Sequence, residues 1–126
     1  MFQQGGIYQY SYLWAREHDG GEESGRKVRP VCLIFRSEGG RLFVLPITTR
    51  RPDAAEIARA IPPRERRLGG LSQPSSLVLS EFNSSFERQS YDFATIKPQG
   101  RFSDGYVDTV LAELLKQPQE HVSVLP

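Results

Sequence analysis

A chain of 126 residues, 38% hydrophobic and 25% charged, has the size and balance of a single folded domain (residues 1–126), too short for two independent cores. The apolar run Val31–Phe35 falls far short of the ~20 residues a membrane span needs, and Met1–Gly6 has neither the basic nor the apolar stretch of a secretory leader, so a cytoplasmic protein is expected. One cysteine, Cys32, excludes an internal disulfide, and two distant histidines, His18 and His121, leave no metal-ligand spacing, so no metal or other cofactor is expected.

In chain order, Ile7–Trp14 alternates, with Tyr8, Tyr10, Tyr12 and Trp14 on one side, which predicts a first strand. Such an aromatic stripe suits the core or base stacking, and core is its commoner role. Arg16–Val28 is polar, holds three glycines and predicts a mobile loop of about 13 residues, a length usually functional or disordered. Pro30–Phe35 predicts a buried second strand, Glu38-Gly39-Gly40 a hairpin turn, and Arg41–Thr49 a third strand in which Pro46 implies an edge or a bulge. Within Asp53–Ile61 a short helix competes with a strand over Glu56–Ile61, and the strand is preferred because Pro62-Pro63 ends it abruptly. Arg64–Ser72 reads as a basic turn, Ser76–Phe82 as a strand, Asn83–Asp92 as a loop and Ala94–Lys97 as a short strand. From Ser103, an N-cap, to Gln117 the period is helical, with Val107, Val110, Leu111, Leu114 and Leu115 on one face and Pro118 as terminator. Five or six short strands and one helix imply a mainly β fold, a strongly bent sheet carrying a C-terminal α-helix.

The net charge of +1 hides an uneven distribution. Residues 24–70 hold eleven basic and four acidic side chains, whereas both flanking blocks are net acidic. A basic middle suits a polyanion, although charges far apart in sequence can also mix on folding. No phosphate-cradling glycine motif and no nucleophile elbow occurs. What remains is an arginine constellation. Arg29 precedes Pro30, which holds it extended and so aims it. Thr48 and Thr49 end the third strand and lead into Arg50 and Arg51. Guanidinium groups grip phosphate as a fork at any working pH, and a hydroxyl beside one suits the same ligand. The plainer alternative is a β-branched strand end and an Arg29 paired to a loop carboxylate.

These residues resemble the PemK/MazF family of toxin endoribonucleases from toxin–antitoxin pairs. Gly6-Ile7-Tyr8 is similar to the family's opening strand, and Gly21-Glu22 with Gly25–Val31 to its Gly-x-Glu, basic stretch and Arg-Pro-Val. Leu45–Thr49 is similar to its Ile-Thr-Thr strand end, and Leu77–Glu81 to a later apolar strand. The resemblance implies an SH3-like β-barrel, a homodimer, an antitoxin partner, and metal-independent, sequence-selective cleavage of single-stranded RNA in which the ribose 2′-hydroxyl attacks the adjacent phosphate. It assigns Arg29 to transition-state charge and Thr48 to a phosphate hydrogen bond, and matches Glu22 to the family's loop glutamate; Arg26, Lys27, Thr49, Arg50 and Arg51 are RNA-binding candidates from their charge and position beside these residues.

Two departures bear on the chemistry. Glu81 matches a strand acid that in some members accompanies an arginine, but Leu79 stands in the arginine's place. The general base is therefore Glu81 or His18, or neither if both are ordinary surface groups. Arg64, Arg66 and Arg67 add a basic turn absent from the shortest members and extend the RNA-binding candidates. The competing reading is a binding module on the same barrel, holding RNA without cutting or poisoning a protein as related gyrase-directed toxins do.

Overall fold

The computed structural model describes residues 2–15, 27–52, 56–89, 91–116 and 120–123. Among them run β1 (Gly6–Ser11), β2 (Val28–Arg36), β3 (Arg41–Thr48), β4 (Ala58–Ala60), α1 (Pro63–Leu68), β5 (Ser76–Val78), β6 (Glu81–Phe86), β7 (Gly100–Arg101), α2 (Asp104–Leu114) and β8 (Glu120–Ser123). The strands form one sheet in the order β4-β5-β3-β2-β1-β7, with β6 also on β3 and β8 on β6. Every pairing is antiparallel except β6 with β8. The sheet curls into a half-barrel, so the fold is mainly β with a C-terminal helix, as the sequence implies.

Both faces of the central strands are buried, and the alternation along each strand divides them. Ile7, Cys32, Ile34, Leu45, Ile47, Leu77 and Leu79 pack under α2 against Phe102, Tyr106, Val107 and Val110. Tyr8, Tyr10, Tyr12 and Trp14 line the opposite face with Val31, Leu33, Leu42, Val44 and Phe93. The aromatic stripe is therefore core, each ring at most 1% exposed. Its rings meet edge-on or tilted, Tyr12 to Trp14 at 5.1 Å and Tyr10 to Phe93 at 4.7 Å. Burying each such side chain contributes about 1.5–3 kcal/mol relative to leaving it in water. Burial also pushes the Cys32 thiol far up, leaving it an inert core residue.

Several elements differ from expectation. Arg64–Leu68 is not a basic turn but part of α1, because Pro63 occupies the first helical turn, where proline's missing N–H costs nothing. The segment read as one strand, Ser76–Phe82, divides into β5 and β6, and Asn83–Phe86 belongs to β6 rather than to a loop. No strand forms over Ala94–Lys97; Ala94 N–H donates to Gln9 O of β1 at 2.8 Å beside the Phe93–Tyr10 bridge, and β7 pairs with β1 further on. Leu115 lies outside the buried face of α2, 88% exposed. Most of the Arg16–Val28 segment (16–26) lies outside the described residues, and Val28 already belongs to β2.

Pro46 occupies neither an edge nor a bulge. It lies in a central strand, where β3 passes from β6, paired over Arg41–Val44, to β5, paired over Ile47–Thr48. The proline sits in the break between β6 and β5, so on that side no strand needs its missing N–H, while on the other it faces Val31 of β2. The bulge is elsewhere: Leu33 faces Val44 and Phe35 faces Phe43, so Ile34 is the extra residue. Phe35 is thereby turned to the α2 side, 45% exposed beside Phe43.

The α1 helix is clamped to β7 and α2. The buried Glu65 carboxylate accepts from Ser103 N–H at 2.9 Å and from the Ser103 hydroxyl at 2.8 Å. Ser103 in turn caps α2 by accepting from Tyr106 N–H. A carboxylate there also complements the helix dipole. Directly below, Gly100 crosses Gly69 and Gly70 so closely that a Cβ would run into the Leu68 carbonyl and the Gly69 backbone. Gly100→Ala is expected to lower stability by about 1–3 kcal/mol, the usual cost of overpacking, read as a fall in the urea midpoint. An unchanged midpoint would contradict this contact.

Candidate functional site

The end of the sheet where β1 finishes, β2 begins and β3 ends gathers the residues of interest. Arg29 pairs with Tyr10 across β1. On the other side the β2–β3 ladder ends at Val31 with Pro46, two residues short of Arg29 and of Thr48, so both belong to this end of the sheet. Arg29, Val31 and Leu33 share the aromatic face with Val44 and Leu42, and Thr48 keeps their alternation. The Arg29 guanidinium lies 5.2 Å from the centre of the Trp14 ring, a cation–π seat that orients it. Thr48 is 6% exposed, and its Oγ1 accepts from Arg50 N–H at 3.1 Å, which leaves the hydroxyl proton to donate elsewhere. A fixed guanidinium and a hydroxyl donor on adjacent strands form an arrangement suited to a tetrahedral anion.

Beneath this row the backbone of Tyr12–Ala15 crosses β6. Asn83, fully buried, accepts from Leu13 N–H and donates to Leu13 C=O, both at 2.8 Å, so its amide replaces a missing strand partner. Glu81 Oε1 accepts from Ala15 N–H at 2.9 Å and from the Tyr12 hydroxyl at 3.1 Å. Burial first, then the Glu81 charge, holds the Tyr12 hydroxyl well above its ordinary 10.0, so it stays protonated and donates. Glu81 is 8% exposed and bound into this scaffold. Leu79 is completely buried on the α2 side.

The remaining candidates fall in different places. Lys27, Thr49, Arg50 and Arg51 are exposed near the same sheet end. Arg64, Arg66 and Arg67 ride on α1, Arg64 within 3.8 Å of Glu65. His18, Glu22 and Arg26 lie outside the described residues. The basic middle of the chain is not one patch: Arg36 pairs with Glu87 at 2.8 Å, Arg59 with Glu113 at 2.5 Å, and Arg41 stacks over Phe43 and Phe86. Arg36 and Arg41 belong to the far, hairpin end of the sheet. The Arg36 contact also holds the Glu87 carboxyl below its ordinary value.

Sequence reasoning passed over the residues that seat the site, Trp14, Tyr12 and Asn83. The alternation placed the aromatics in the core but carried no sign that one of them carries Arg29. It also passed over a polar cleft of about 270 Å3 beside Thr49, bounded by Gln9, Pro30, Gln99 and the Gly70–Ser75 segment. No family model matches the chain, and no curated protein matches it.

Proposed function

We propose that the chain is an endoribonuclease of the PemK/MazF kind, cutting single-stranded RNA without a metal and held in check by a cognate antitoxin. One observation carries the reading: Arg29 and Thr48 lie at the same end of adjacent strands, each two residues beyond the Val31–Pro46 pair, with the guanidinium seated on Trp14. In the reaction the ribose 2′-oxygen bonds to phosphorus and the bond to the 5′-oxygen breaks, leaving a 2′,3′-cyclic phosphate and a 5′-hydroxyl. Negative charge grows on the non-bridging oxygens, where a preoriented Arg29 fork and the Thr48 hydroxyl stabilise it more than they stabilise the ground state. The 2′-hydroxyl proton passes to a carboxylate or imidazole, Glu81 or His18, and the leaving oxygen takes one up. Lys27, Arg50 and Arg51, exposed beside the site, offer contacts to flanking phosphates.

The homodimer that the resemblance implies would bury apolar surface, and the groove between α2 and the sheet offers some, lined by Ile34, Phe35, Phe43, Phe82, Leu111 and Leu114. The burial of Leu79 favours a second reading, a module on the same half-barrel that holds RNA without cutting, because a leucine packed under α2 fills the position where some PemK/MazF members carry an arginine. Incubation of the purified protein with single-stranded RNA in EDTA separates the two. Fragments ending in 2′,3′-cyclic phosphate are expected; RNA that is bound but stays intact would transfer the case to the second reading.

A further inference from the structure

The cleft beside Thr49 has the wrong chemistry for phosphate and the right one for a base. Gln9, Thr49, Gln73 and Ser75 bring uncharged donors and acceptors to it, and the arginines lie outside its wall. Its volume of about 270 Å3 is below the ~300–1,000 Å3 typical of drug-sized ligands and suits a single ring system.

Its geometry is set in advance. Gln9 Nε2 donates to Gln99 Oε1 at 2.5 Å, and Gln99 Nε2 donates to the Gly70 carbonyl at 2.9 Å and towards Gly69 O at 3.4 Å. The Gln99 backbone is tied as well, its N–H donating to Ile7 O at 2.8 Å. Gln9 itself sits mid-strand on β1, paired with Pro30. With one amide hydrogen engaged, Gln9 keeps a second N–H and its carbonyl oxygen side by side in a fixed plane. A carboxamide held that way matches the adjacent donor and acceptor on an adenine edge.

The cleft also adjoins the proposed cutting site. Thr48 ends β3 and Thr49 follows it in a bend beside the cleft, whose Gln9 and Pro30 alternate with Tyr10 and Arg29 along β1 and β2 and so face the other side of the sheet. A single strand of RNA passing over this sheet end meets Arg29 and Thr48 on one side and the cleft on the other. Sequence-specific readers of RNA recognise splayed, unstacked bases in this manner.

We infer that Gln9, positioned by Gln99, reads an adenine next to the scissile phosphate and sets the sequence preference of the enzyme. The inference rests on the proposed function for the cut itself, but not for base selection.

Cleavage of a randomised RNA pool, with cut sites read by sequencing, tests it. Wild-type protein enriches adenine at one fixed position relative to the cut, and Gln9→Ala reduces that enrichment about 10- to 100-fold, the discrimination lost with one bidentate contact. Gln9→Glu, which keeps the shape but loses the N–H donors, reduces it similarly, and thermal melts confirm that both variants fold. Cutting with the adenine preference intact in Gln9→Ala overturns the inference and leaves the nuclease reading standing. Titration of 2′-O-methyl RNA hexamers differing at one base covers protein that does not cut. Adenine-selective binding that Gln9→Ala abolishes then supports the inference while sinking the nuclease reading; unselective binding overturns it.

Discussion

Arg29→Ala is expected to slow RNA cleavage by about 10²–10³-fold, the usual cost of removing one preorganised donor from a transition state that gathers charge. Initial rates on a fixed RNA substrate measure it. The loss should appear mainly in kcat, because the fork is worth most when the phosphate charge is greatest. Arg29→Lys separates charge from geometry: an ammonium keeps the cation, but neither grips two oxygens nor lies flat on Trp14 in the same way, so most of the loss should persist. The fold should survive both changes. Arg29 is only half-buried, and the contact with Trp14 is worth about 0.5–2 kcal/mol. A rate within a few-fold of wild type in Arg29→Ala would remove this arginine from the chemistry.

Asn83→Ala is expected to be the most destabilising polar substitution in the protein, by about 2–5 kcal/mol. Asn83 is completely buried and serves both polar groups of Leu13. Truncation strands a buried N–H and a buried C=O, each worth about 1–3 kcal/mol when unsatisfied. That is a large part of the ~5–15 kcal/mol total stability of an ordinary domain. Asn83→Asp offers an acceptor to Leu13 N–H but turns a second oxygen against Leu13 C=O, so it should not rescue the loss. Urea unfolding measures both, as a fall in midpoint at constant slope. A midpoint shift equivalent to under about 1 kcal/mol would show that water or a backbone shift replaces the amide. Because Asn83 anchors the segment that carries Trp14, the RNA cleavage proposed above should also fall before the protein unfolds.

The elements read correctly are those whose signal is local and repeated. Period-two alternation exposed β1, and the same signal put four aromatic rings on one face. Ser103 and the spacing Val107, Val110, Leu111, Leu114 exposed α2. The misreadings share another cause. Pro62-Pro63 was a stop signal for β4 and also a start signal for α1, and only the Glu65–Ser103 contact shows what the second role secures. β7 and β8 are short strands whose partners lie far along the chain, Gly100 with Ile7 and Glu120 with Glu81, so no local pattern marks them. The extra residue at Ile34 leaves alternation broken by one, which a sequence does not distinguish from an ordinary apolar run.

The sequence by itself determined the mainly β class, the C-terminal helix, the core rings, and Arg29 and Thr48 as candidates, because alternation, capping and the Arg-Pro step act within a few residues. Tertiary structure alone decided that Arg29 shares a sheet end with Thr48 and rests on Trp14. It also decided that Glu81 is held by Tyr12 and Ala15, and that Gln9 is braced by Gln99. Those contacts join positions up to 90 residues apart, and their partners are chosen by strand register and sheet curl. The same register scattered the basic middle of the chain, sending Arg36 and Arg41 to the hairpin end and leaving Lys27, Arg50 and Arg51 beside Arg29.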